Sequence, residues 1–133
     1  MKKATWCILA LLVCASLSAQ PWHDRLALSR QDSWRCRFSL QFSNLPVMDS
    51  EQMLPVGVLV AGEAGVSAPL PLAGMPVAGI RVVVADSGTE LLWALADAAG
   101  ERIETGLVPA DSTLYVPVSL GESSSQKLLV YYD

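Results

Sequence analysis

The chain has 133 residues with 9 basic and 13 acidic side chains, a formal charge of −4. Its first 19 residues read as a removable export signal, and without them 7 basic face 13 acidic residues among 114. That balance excludes nucleic acid and anionic lipid as main partners, and the length suits a single domain. One histidine and one cysteine remain after the signal, too few for a disulfide framework or a multi-Cys or multi-His metal site.

Residues 1–19 run from Lys2 and Lys3 through an apolar stretch, Trp6 to Ala15, to the small residues Ser16, Ser18 and Ala19. This is the three-part layout of a secretory signal. The stretch falls well short of the roughly 20 apolar residues a membrane-spanning helix needs. Cys14 follows Val13 rather than the small residue that precedes a bacterial lipid-attachment cysteine. The expected location is therefore secreted, periplasmic or cell surface, with no membrane contact after cleavage. Residues 20–32 show no strand pattern and read as a linker, with Trp22 and Leu26 at helical spacing, before a module over 33–133.

In residues 33–42, Trp34, Cys36, Phe38, Leu40 and Phe42 alternate with Arg35, Arg37, Ser39 and Gln41. Period two with aromatic enrichment predicts a half-buried strand. The same register places Cys36 on the apolar face as a buried, inert thiol. Val56, Val58 and Val60 alternate next, with Pro55 and Gly57 marking an edge or a bulge. Residues 61–79 are rich in Gly, Ala and Pro, and read as a loop or loosely held excursion with a short edge strand near residues 70–72. Residues 80–85 are dense in β-branched side chains and predict a central strand. Asp86, Ser87 and Gly88 make a turn in which Asp86 caps and Gly88 takes positive φ.

Residues 89–99 satisfy two patterns at once. The Leu and Ala content favours a helix between Thr89 and Gly100, whereas Leu91, Trp93 and Leu95 alternate directly after a hairpin turn. A second turn is expected around Gly100, a weak strand over 102–108, and two alternating strands around Leu114–Leu120 and Leu128–Tyr132. The fold class expected is all-β: an antiparallel β-sandwich, immunoglobulin-like or jelly-roll-like, of six to eight strands.

The segments "SWRCRFSLQFSNL", "LPVGVLV", "IRVVVADSGTELLWALAD", "LYVPVSL" and "KLLVYYD" together resemble a family of secreted bacterial β-sandwich modules of unknown function. Those modules open on a Trp-Arg strand, carry a D-G-x-E-L hairpin and close on a Tyr-Tyr strand. The resemblance implies a non-catalytic accessory module beside lectin-like or carbohydrate-active domains, and an extended conformation for residues 90–96. No catalytic residue comes with it.

Chemistry-bearing residues are few. His23 beside Asp24 lies in the linker and lacks the supported carboxylate that a catalytic histidine needs. Asp86, Asp97, Glu101, Glu104 and Asp111 could in principle form a glycosidase pair or a loop calcium site, but three of them occupy turn positions where Asp is favoured for backbone reasons. No cofactor is expected, with calcium the one ion these loops would suit. No phosphate-binding Gly loop, CxxC or HExxH occurs. Tyr115 and Tyr131 fall out of register with their apolar neighbours, so adjoining strands would form a small aromatic platform with Arg35 or Arg37 for a polysaccharide. The leading expectation is a spacer or docking support for an adjacent extracellular domain or protein, with the apolar 61–79 region as its contact patch. The alternative is a carbohydrate-binding module built on the tyrosines.

Overall fold

The computed structural model describes residues 34–62 and 68–133. The expected signal, the linker and His23 lie outside the described residues. Seven strands form two antiparallel sheets: β1 (Cys36–Phe42), β2 (Gln52–Leu59), β3 (Arg81–Val84), β4 (Glu90–Leu91), β5 (Ala94–Ala96), β6 (Thr113–Leu120) and β7 (Gln126–Tyr132). The four-stranded sheet has the order β1-β7-β3-β4 and the three-stranded sheet β2-β6-β5, so the all-β, β-sandwich expectation holds. No helix among the described residues is long and apolar enough to cross a membrane.

Alternation decides what lies between the sheets. Leu40, Val82, Leu128 and Val130 from one sheet meet Leu95, Leu114, Val116 and Val118 from the other, all buried in one cluster. Residues 90–96 are extended, but not as one strand. β4 pairs with β3 and β5 pairs with β6, so Leu92 and Trp93 carry the chain from one sheet to the other. The helix-forming composition yields here to the pairing that each short piece finds.

The turns are held by local side chains. Gly88 and Gly100 have φ of 69° and 85°, left-handed values that favour glycine. Asp97 Oδ1 accepts the N–H groups of Ala99 and Glu101, both at 2.9 Å. In the earlier turn the side chain at work is Ser87, whose Oγ accepts the Thr89 N–H and donates to Thr89 Oγ1, rather than the expected Asp86.

Two expectations are corrected in the middle of the chain. Residues 102–108 form no strand: they contribute one bridge from Arg102 to Ala96 and one from Leu107 to Pro76, with Gly106 at φ 86° bending the chain between them. The described part of 61–79 is not loosely held, and no strand forms near 70–72. Leu70, Leu72 and Val77 are buried in the main core, and backbone bonds from Gly74 to Val108, Val108 to Met75 and Val77 to Gly106 tie the excursion to residues 106–108. With Leu70, Leu72 and Val77 turned inward, the described part of this region exposes only small residues and prolines besides a half-buried Met75.

Cys36 is exposed rather than buried. It stands in the alternating register but at the first residue of an edge strand, opposite Tyr132 near the chain's last residue. Period two assigns a side to a residue; cover at the end of a sheet depends on what the other sheet places above it.

Candidate functional site

The outer face of the three-stranded sheet is built from the residues that alternate with its core positions. β6 contributes Thr113, Tyr115, Pro117 and Ser119, because Leu114, Val116 and Val118 point inward and are fully buried. β2 contributes Met53, Pro55, Gly57 and Leu59, and β5 contributes Ala94 and Ala96 around the buried Leu95. Register arranges them in rows: Gly57 and Ala94 flank Tyr115, Leu59 and Ala96 flank Thr113, Pro55 faces Pro117, and Met53 faces Ser119. None of the ten carries a charge.

The rows explain the residue choices. Val60 N–H bonds Ser112 O at 2.9 Å, which in an antiparallel ladder makes the even-numbered β2 residues the hydrogen-bonded ones. Pro55 and Pro117 therefore oppose each other at a non-hydrogen-bonded pair, where neither ring costs a bond between these strands. Tyr115 lies over Gly57: a Cβ built on that glycine would stand 2.9 Å from Tyr115 Cε1 and 3.0 Å from Thr113 Cγ2. The absent side chain makes room for the ring. The face is nonetheless open to solvent, with Met53 52% exposed, Tyr115 41% and Leu59 39%. An antiparallel sheet face turned to water ordinarily alternates to polar residues; here only Thr113, Ser119 and the Tyr115 hydroxyl are polar among the ten.

The tyrosine platform does not assemble. Tyr115 belongs to the three-stranded sheet and Tyr131 to the four-stranded one, and each points to the outer side of its own sheet. Tyr131 is also fully buried, in a second cluster with Trp34, Val83, Ala85 and Leu129. β7 is a central strand whose five consecutive apolar residues, Leu128 to Tyr132, serve both faces at once. The structure does bring Arg37 to Tyr131: Nη1 donates to the phenol oxygen at 3.2 Å and the guanidinium lies 5.9 Å from the ring centroid. Arg35 instead forms an ion pair with Asp133, Nε to Oδ2 at 2.8 Å. Arg81 stands over Trp34 at 5.6 Å and pairs with Glu90 at 3.2 Å.

Titratable groups are scattered. Among the described residues no three of His, Cys, Asp and Glu gather to hold a metal ion. Asp49, Glu51 and Glu122 share the wall of one open polar hollow with Ser119 and Ser123, and Glu51 is engaged there by the Ser119 hydroxyl at 2.9 Å. At the other end of the sandwich the Tyr132 phenol is raised above its ordinary value by burial, reinforced by the adjacent Cys36.

A second recess opens at the side of the sandwich between edge strands β1 and β2, with a volume of about 530 Å³. Phe38, Leu40, Phe42, Val56 and Val58 form its walls, and Leu70 lies at one end. The sequence marks Tyr115 as outward and the Pro55/Gly57 strand as an edge or a bulge, and β2 is indeed an edge strand; the recess against β1 and the full outer face are not readable from it. Alternation shows which residues share a face; which strands end up at an edge is a matter of topology.

Among the described residues, fold and surface together define an antiparallel β-sandwich with a largely apolar outer face and an open side between β1 and β2. No family model matches the chain, and neither the curated proteins nor the solved structures include a match to it.

Proposed function

We propose that this chain is an exported, non-catalytic β-sandwich accessory module that serves as a docking support for a neighbouring extracellular domain. The observation that carries the reading is the uncharged outer face of the three-stranded sheet, where Met53, Leu59 and Tyr115 stand exposed around two prolines and two alanines. Burying the centre of this face against a partner removes apolar area from water, with the charged groups, Glu51 on Ser119 and Arg102 opposite Ala96, left at its rim. The export pattern in residues 1–19 supports an extracellular setting. The contact face proposed is the sheet itself rather than the described part of 61–79, whose Leu70, Leu72 and Val77 fill the core.

The test is thermal unfolding of the chain alone and fused to the extracellular domain encoded next to it. The fusion raises the melting midpoint of this module, and Tyr115→Glu removes the gain while leaving the isolated module's midpoint within a few degrees. No gain, or a gain indifferent to Tyr115→Glu, would overturn the reading. On a glycan array the folded chain should bind nothing. Saturable binding lost in Tyr115→Ala would replace docking support with carbohydrate recognition.

A further inference from the structure

The recess between β1 and β2 points to a second contact, independent of the docking face. Ala85 N–H bonds Lys127 O at 3.0 Å, so the odd-numbered residues of β7 face β3 and the even-numbered ones face β1. In β1 it is therefore Cys36, Phe38, Leu40 and Phe42 that bond to β7. The backbone N–H and C=O groups of Ser39 and Gln41 point the other way, along the open side, and both residues are exposed. Across the recess β2 is poorly suited to pairing, because Pro55, in the middle of its outward-facing residues, has no N–H. β1 has no proline and no bulge, and its one charged side chain, Arg37, is turned onto the outer face against Tyr131.

We propose that β1 is a self-association edge, pairing antiparallel with β1 of a second copy about a two-fold axis at Leu40. A second copy is favoured because the strand is complementary to itself in this register. Ser39 meets Gln41 of the second copy at a hydrogen-bonded position, and the reverse pair follows by symmetry, each exchanging both backbone bonds. Leu40 meets Leu40, and Phe38 meets Phe42 on either side of it at the closer, non-hydrogen-bonded positions, where an aromatic pair gains most. Arg37 falls opposite Ser43 and Arg35 opposite Leu45, so no like charges are brought together. The two four-stranded sheets become one continuous sheet of eight strands. Phe38 and Phe42, left half-buried by the open recess, acquire their missing neighbour.

Sedimentation velocity of the full chain over a range of concentrations tests this. The chain should form dimers that dissociate on dilution. Ser39→Pro removes an outward N–H that β7 does not use, and should weaken the dimer by about tenfold or more while leaving the circular dichroism spectrum intact. Should that variant fold poorly, Ser39→Cys/Gln41→Cys in a Cys36→Ser background gives a second reading. The paired positions lie about 5.5 Å apart between Cα atoms, within disulfide reach, so oxidation should yield a covalent dimer that reductant reverses. A monomer at every concentration, or no covalent dimer from the double-cysteine variant, would overturn the proposal. So would a dimer abolished by Tyr115→Glu but not by Ser39→Pro, which would place self-association on the docking face instead.

Discussion

Leu72 sits in a stretch with no periodicity among glycines and prolines, yet its side chain is 0% exposed and belongs to the main core. Leu92 has the same chemistry and is 93% exposed where the chain crosses between sheets. Truncating a fully buried leucine costs its transfer free energy plus a cavity term, about 3 kcal/mol in a site that relaxes only partly. For a domain of this size each kcal/mol moves the melting midpoint by roughly 4–8 °C, so Leu72→Ala should lower it by about 12–24 °C. Leu92→Ala should change stability by less than about 0.5 kcal/mol. Melting followed by circular dichroism compares the two directly. If Leu72→Ala melted within a few degrees of the parent and of Leu92→Ala, the excursion would be a loose loop and its anchoring role would be wrong.

Asp97→Ala deprives the Ala99 and Glu101 N–H groups of their shared acceptor and should cost about 1–2 kcal/mol in denaturant unfolding, with Asp97→Asn recovering most of it. Because the phenol of Tyr132 ionises above its ordinary value of 10.0 when folded, the unfolded chain loses that proton first as pH rises. Stability from this group is thus intact below about pH 10 and declines as pH climbs through the folded value. Ultraviolet titration should show the contribution of Tyr132 moved toward the ordinary value by Cys36→Ala and lost in Tyr132→Phe. Exposed Cys36 should also take up a thiol reagent in the native state without denaturant, with peptide mass mapping placing the adduct on it.

Much of the sandwich was legible in the chain. Phe38, Leu40 and Phe42 alternate, as do Leu114, Val116 and Val118, and the Asp-Ser-Gly and Asp97 to Gly100 turns fall where residues with side-chain acceptors and positive φ are needed. Residues 90–96 satisfied both helix and strand patterns, and only the pairing of Leu91 with Val82 and of Leu95 with Leu114 settles them as two short strands in different sheets. The candidate site was less legible. Tyr115 does stand outward as alternation requires, but the same rule sent Tyr131 outward onto a face that is itself buried, since β7 is flanked by β1 and β3 and its outer side carries Trp34, Val83 and Ala85. The unbroken run Leu128 to Tyr132 was the signal for that, being apolar on both faces. Leu72 and Val77 offered no such signal, because isolated anchors in a Gly/Pro stretch have no period to read.

The central claim is that the outer face of the three-stranded sheet is a contact surface for a neighbouring domain. Hydroxyl-radical footprinting of Met53 and Tyr115 tests it, comparing the isolated chain with the same chain joined to the proposed neighbouring domain. Both side chains should be readily modified in isolation and protected beside the neighbouring domain, while Leu92 is modified equally in both. Equal modification of Met53 and Tyr115 in the two states would contradict it.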